Sequence, residues 1–442
     1  MLQGLTIAAG ALLIFFGWWA IHNGGYFVLD SVLFSWTAIF CSLGLLLVDR
    51  LAWRRRIATY GLAFLGWVLL ADVLSTEPLS AIARDVQWLI LPLLIVVFRR
   101  LSQSSEEFLP ILQITCAFSL LWISIYLFMS ADAVFDWMHP PIFGNIRRLG
   151  MSVGVMTVFL YLDAGIKERY KFLLTLGRLI GLAMLFWAGG RGSFLGWAVA
   201  FAICSLAAKT GWQPLKKHVI EIGLALIFAV LCSVNTPGMG IWSGLVRPSV
   251  YQSGSLDQVS SMRLTLWSRT ISVFGDPFCA VLGAGGNGFI RLKLMPAQQI
   301  FHPHNILLQA ATDWGVIGLL LLSIVVLSVA HRVAACRQPL GRRESVGAGM
   351  LAFLLVTGLL DGGLYHLEYL IYAALAVSML PSGHADAQSD KDMLVVPKVV
   401  VLVFLFGAVL LHASLRDYRA VWVNTPWSES VKPEGVCASG IR

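Results

Sequence analysis

The chain has 442 residues, 58% of them hydrophobic and 13% charged, with a mean hydropathy of +0.78. A soluble domain carries about 25% charged residues. The composition therefore excludes a soluble globular enzyme, a disordered tail and a disulfide scaffold, and makes the lipid bilayer its solvent. The net charge of +8 reads first as the Lys/Arg excess of cytoplasmic loops, not as a nucleic-acid surface.

In chain order, apolar runs long enough to cross about 30 Å of hydrocarbon cover 5–21, 31–48, 57–71, 86–98, 110–129, 149–166, 172–189, 193–208, 219–234, 305–330, 346–361, 366–380 and 395–413. Their unbroken apolar character excludes the alternating pattern of a membrane barrel, so the expected fold is all-α and polytopic, with about 12 transmembrane helices from 13 candidate runs. The first run follows Met1-Leu2-Gln3-Gly4, which has no basic n-region, and reads as a span rather than a cleaved signal. The seven cysteines form no CxxC and no metal-ligand spacing; Cys41, Cys116, Cys204 and Cys232 lie inside apolar runs as small core residues.

The basic loops are Asp49–Arg56, Arg99–Arg100, Lys167–Lys171, Lys209–His218 and His331–Arg343. They alternate onto one side, which the positive-inside rule makes cytoplasmic. The other side receives 72–85, 130–148, the 189–193 turn, 235–304 and the 361–366 turn. The organisation expected is an N-terminal bundle of about nine spans over 1–234, a loop domain over 235–304, C-terminal helices over 305–413 and a tail over 414–442. Within the long loop, Leu264, Trp267, Ile271 and Phe274 recur at helical spacing before Gly275-Asp276-Pro277, an amphipathic helix on the membrane face. A helix packed on the bundle with no further role fits the same pattern.

The outward segments hold Arg84, Arg147, Arg148, Arg191, Arg247, Arg263, Arg269, Arg291 and Lys293, where positive-inside logic places few cations. Arg191 stands between two apolar runs in Ala188-Gly189-Gly190-Arg191-Gly192-Ser193, a position that costs about 2.5–3.5 kcal/mol unless an anion or a function repays it. Snorkelling to lipid headgroups is the ordinary alternative for each arginine. Together they point to a cationic cavity for a diphosphate, because guanidinium forks match phosphate oxygens. A second group, His302-Pro303-His304-Asn305, opens the 305–330 run. Asn305 suits a helix cap, and the positive helix end favours a neutral His304 ring able to accept a proton. Continued as a helix, Ala311, Gly315 and Gly318 form a small-residue stripe on the His304 face, open to a neighbouring helix.

Other motifs carry less. His302 and His304 lack an acidic cluster or HExxH, so no metal is expected and no motif asks for a cofactor. The GxGxxG match at Gly283–Gly288 lacks a βαβ unit and reads as a flexible loop, and Asp390-Lys391-Asp392 reads as a solvated linker.

His304-Asn305, nine residues, Gly315, two residues and Gly318 resemble the HN-x9-G-xx-G signature of bacterial O-antigen ligases, the WaaL family. The run Ser261–Trp267, Asp276-Pro277 and the glycine loop resemble the family's segment before that histidine, and Arg191 resembles its intramembrane arginine. The resemblance covers roughly 185–330. It implies a GT-C-like glycosyltransferase, usually of twelve spans, in the bacterial inner membrane with a periplasmic site. It also implies transfer of O-antigen glycan from undecaprenyl pyrophosphate to lipid A–core oligosaccharide in lipopolysaccharide biosynthesis. The residue chemistry is compatible: a diphosphate leaving group needs charge neutralisation, which arginines supply without a metal, and single displacement inverts the anomeric carbon. His304 is the expected base, with Arg191 and Arg263 on the pyrophosphate. Arg147, Arg148, Arg291 and Asn305 are secondary candidates, and Asp361 would orient His304 or an arginine. The related Wzy polymerases would use the same carrier, and a polytopic transporter or flippase is the non-enzymatic alternative, disfavoured because no internal repeat is visible.

Overall fold

The computed structural model describes residues 1–17, 26–48, 52–129, 146–162, 166–206, 213–234, 263–292, 302–334, 340–381 and 393–414. Each of the thirteen apolar runs contains a helix, as lipid requires of a backbone with no other hydrogen-bond partner. They are α1 (Leu2–Gly17), α2 (Tyr26–Leu47), α3 (Arg55–Val73), α4 (Pro78–Ser104), α5 (Phe108–Met129), α6 (Ile146–Phe159), α7 (Glu168–Ala188), α8 (Arg191–Leu206) and α9 (Gln213–Val234), followed beyond the loop by α13 (Ile306–Ala334), α14 (Arg342–Asp361), α15 (Leu367–Met379) and α16 (Lys398–Ser414). Between them lie three short loop helices, α10 (Arg263–Ser272), α11 (Pro277–Leu282) and α12 (Gly288–Arg291). The chain is an all-α polytopic membrane protein. Its described β structure is a three-residue antiparallel ribbon at the basic end of the bundle, β1 (Ala52–Arg54) with β2 (Met393–Val395), paired Trp53 to Leu394.

One hydrophobic core runs through helices from both sides of the long loop. α14 lies along α8, and α15 fits between α14 and α4. Glycines set the closest approaches: a Cβ at Gly196 would meet Phe353 and Thr357 of α14 at 3.1 Å. At 14 residues and 1.5 Å per residue, α6 reaches only about 21 Å, and the run expected over 149–166 leaves the helix at Phe159. The stop is tolerated because its orphan carbonyls are satisfied. Gln113 donates to Phe159 and Leu162, Arg178 Nη1 to Leu160 and Arg342 Nε to Tyr161. Arg178 is itself neutralised by a fork onto Glu221 of α9, at 2.9 and 3.1 Å.

The described part of the loop, 263–292, has its own small core of Leu266, Val273, Cys279, Ala284, Phe289 and Leu292. α10 buries Leu266 and Thr270, leaves Leu264 and Ile271 exposed and sets Trp267 half-buried against the small core, so the apolar row read from the sequence lies mostly on the outward face of the helix. The glycine stretch Gly283–Gly288, expected to be flexible, is instead fixed. Its Ala284 and Gly285 amides donate to the Thr312 and Asp313 carbonyls at 2.8 and 2.7 Å. The Gly286 and Gly288 amides donate to the buried carboxylates of Asp72 and Asp313, at 2.8 and 2.9 Å.

The stripe expectation is corrected at the same place. Gly315 has φ +67° and ψ −176°, so α13 breaks there and a continuous helical face from His304 to Gly318 does not exist. The cause is the backbone of α11, whose Val281 carbonyl would lie 2.0 Å from a Cβ on Gly315. The break frees the Trp314 carbonyl, and Trp67 of α3 donates its indole N–H to it at 2.8 Å. Gly318 faces the same Trp67 ring, 3.1 Å from its ideal Cβ. Arg247, Lys293, Asp390-Lys391-Asp392, residues 235–262 and the tail beyond 414 lie outside the described residues, as does the Arg291 side chain.

Gly315→Ala should therefore destabilise the protein by more than about 3 kcal/mol, combining left-handed strain with backbone overlap. Gly223→Ala, at an open helical position of α9, should be neutral or stabilise by about 0.5–1 kcal/mol. Thermal unfolding of both purified variants in one detergent checks the contrast.

Candidate active site

At the end opposite the ribbon, the segments 72–85, 146–148, 189–192, 263–292, 302–305 and 361–366 come together. Their centre is Asp361, the last residue of α14, whose side chain is 3% exposed. A carboxylate at a helix C-terminus faces the negative end of the helix dipole, where a nearby cation offsets the repulsion. Arg263 at the start of α10 supplies one, with Nη2 donating to Oδ1 at 2.6 Å. Arg147 of α6 supplies another, its Nε 3.9 Å from the same oxygen. Gly192 presses against the other side: a Cβ there would sit 2.3 Å from Asp361 Oδ2. Arg191, one residue earlier, starts α8 two residues after the left-handed Gly189 that caps α7, and its side chain is exposed. The structure thus gathers Arg263, Arg147 and Asp361, and puts Arg191 beside them through the backbone of Gly192.

The histidine segment closes over the 361–366 turn. Asn305 caps α13, its Oδ1 accepting from the Leu307 and Leu308 amides at 2.9 and 3.1 Å. His304 has φ +54°, a conformation rare for a side-chained residue. Its Nδ1 is buried without a hydrogen-bond partner. Burial, followed by the Arg147 and Arg263 charges, pushes its pKa down to about 3, opposed by the Asp361 backbone carbonyl. The ring is neutral at physiological pH, the form from which a general base starts. Trp267 of α10 donates to the Pro303 carbonyl at 2.9 Å, tying the loop helix to the segment.

Sequence reasoning did not single out Tyr365 and His366. Arg148 Nη2 lies 3.3 Å from His366 Nε2, which must accept because a guanidinium only donates. Burial and then Arg148 hold His366 well below the usual histidine range. Arg84 sits 4.0 Å over the Tyr365 ring and donates to the Tyr365 carbonyl, as does Gln87 at 3.1 Å. Behind this layer, Asp72, Asp85 and Asp313 are buried. Asp85 accepts from the Trp314 indole and Asp313 from Gln309. For Asp313, an acidic residue inside an apolar run was the signal available, since lipid tolerates one only when paired; Asp72 and Asp85 stand at the edges of two runs and carried none. Among the described residues, no group of three or more His, Cys, Asp or Glu could hold a metal ion.

Residues 176–323 match the family model described as O-antigen ligase. The match spans Arg191, Arg263, His304 and both signature glycines, and supports the O-antigen ligase superfamily and an O-antigen ligase/polymerase-type glycosyltransferase activity. No curated protein matches the chain.

His304 is depressed from 6.5 to about 3, so the unfolded chain binds its proton first. The neutral ring's contribution to stability is present above about pH 6.5 and is lost as pH falls towards 3. The unfolding temperature should drop between pH 7.5 and 5, and His304→Gln should shrink the drop. His302 and His366 are shifted in the same direction, so part of it should remain.

Proposed function

We propose that the protein is an O-antigen ligase of the bacterial inner membrane. It would move a finished glycan from undecaprenyl pyrophosphate to a sugar hydroxyl of lipid A–core oligosaccharide at the periplasmic face. The observation that carries this reading is the convergence of Arg147 and Arg263 on the Asp361 turn beside a neutral His304, inside or against the segment matched by the family model.

The acceptor hydroxyl oxygen attacks the anomeric carbon while its proton passes to His304. The bond from that carbon to the phosphate oxygen breaks, and the electron pair leaves with the diphosphate. Arg263 and Arg147 stabilise the charge developing on those oxygens, which needs little protonation because a diphosphate is a weakly basic leaving group. Arg191, exposed at the first turn of α8, and Arg148 extend the same cationic surface towards the donor. Asp361 keeps Arg263 and Arg147 in position between turnovers. The attack is a single displacement, so the anomeric configuration inverts.

His304→Ala and Arg263→Ala should each lower O-antigen on lipopolysaccharide by about 100-fold or more in a ligase-deficient strain, the scale of losing one transition-state contact, with the variants inserted at normal levels. Normal glycan on the core with either variant contradicts the site. Restoration of glycan length in a polymerase-deficient strain, with no rescue of the ligase-deficient one, would identify a polymerase using the same carrier.

A further inference from the structure

The segment before α13 contains a second histidine that the proposed chemistry leaves unused. His302 stands two residues before His304 and its Nδ1 accepts the His304 backbone N–H at 3.1 Å. The two rings meet edge to face with centroids 4.1 Å apart. On its other side His302 rests on the left-handed Gly362, whose ideal Cβ would lie 3.0 Å from Nδ1, a close approach of the ring to the turn. Pro303 between the two histidines has a fixed φ and its carbonyl is held by Trp267. A side-chain acceptor bonded to the N–H two residues on is the geometry of an Asx-turn, made here by an imidazole.

We propose that His302 is a positioning residue for the transfer reaction: its Nδ1 holds the His304 backbone in the left-handed region and thereby aims the His304 ring at the acceptor hydroxyl. The inference rests on the reading of His304 as the base. A residue with a side chain at φ +54° carries a strain of order 1–3 kcal/mol and persists only where neighbours over-determine it. The hydrogen bond to His302, the Pro303 ring and the Asn305 cap are the constraints visible around it. Because Nδ1 is engaged as an acceptor, the ring proton of His302 resides on Nε2. His302 therefore neither offers Nδ1 to a metal nor competes with His304 for the substrate proton through that atom. Burial and the neighbouring His304 keep the ring neutral, which is the form that can accept the amide.

Two variants separate the hydrogen bond from the bulk of the ring. His302→Phe keeps an aromatic ring and removes the acceptor, whereas His302→Asn loses the ring and supplies an oxygen suited to the same turn. With purified full-length protein in lipid nanodiscs and a lipid-linked glycan donor, His302→Phe should lose about 100-fold in kcat, the cost of misplacing a reacting group by about 1 Å. Its KM for the donor should stay within about twofold of wild type. His302→Asn should recover most of the lost kcat. Wild-type turnover in His302→Phe overturns the proposal, and so does a folded His302→Asn as slow as the phenylalanine variant. If His302→Phe does not fold, the asparagine variant decides alone: a kcat within a few-fold of wild type supports the proposal, and a loss of about 100-fold overturns it. His304→Ala is run in parallel. Normal transfer there removes the reading of His304 itself, whereas a dead His304→Ala beside an active His302→Phe removes only the positioning role.

Discussion

The architecture at the end opposite the ribbon depends on one buried carboxylate held at the C-terminal end of a helix. Asp361 terminates α14, where the helix dipole disfavours a negative charge, and Arg263 and Arg147 approach it there. Those two arginines come from the loop helix and from the start of α6, so a single anion connects the 263–292 segment to the bundle. Gly192 completes the arrangement by letting the first turn of α8 touch the carboxylate. Removing one partner of such a pair leaves a charge in a poorly solvated place, which typically costs about 3–5 kcal/mol. The same guanidinium groups that neutralise Asp361 are the ones suited to a diphosphate.

A second set of contacts keeps the histidine segment from moving independently. α13 is two helices in series, broken at Gly315 by the backbone of α11, and the glycine loop beyond α11 is bonded to the Thr312–Asp313 turn and to Asp72. The upper piece of α13, capped by Asn305, is thereby fixed to α3, α4 and the loop together. His304 sits at the end of that piece, against the Asp361 turn. In this arrangement the intramembrane aspartates act as structural acceptors for backbone amides and an indole, and the polar chemistry is concentrated one layer further out.

Much of the fold was legible because lipid leaves the chain few options. Thirteen apolar runs produced helices, and the alternation of basic loops along the sequence assigns Arg84, Arg147, Arg148, Arg191 and Arg263 to one side. Asn305 could be read as a cap from its place before an apolar run. The break at Gly315 could not: a glycine in a helical run is compatible with helix packing and with helix interruption, and here the deciding contact is with Val281, far away in sequence. The glycine loop was misread for a related reason. Composition suggested freedom, but the acceptors that fix it, Asp72 and Asp313, belong to other helices. Among the site residues, sequence could name outward arginines and one histidine. That Arg263 meets Asp361 across 98 positions, and that His302, Tyr365 and His366 line the same turn, are products of tertiary packing with no local signature.

The central claim is that the glycan leaves a lipid diphosphate gathered by the arginines around Asp361 and reaches an acceptor hydroxyl at His304. Its most direct test is the stoichiometry of purified protein in bilayers supplied with undecaprenyl-diphosphate-linked glycan and lipid A–core. The account predicts one undecaprenyl diphosphate released for each glycan that appears on the acceptor, with the anomeric configuration inverted. Release of the monophosphate, retention of configuration, or glycan appearing only on a second lipid-linked chain would contradict it.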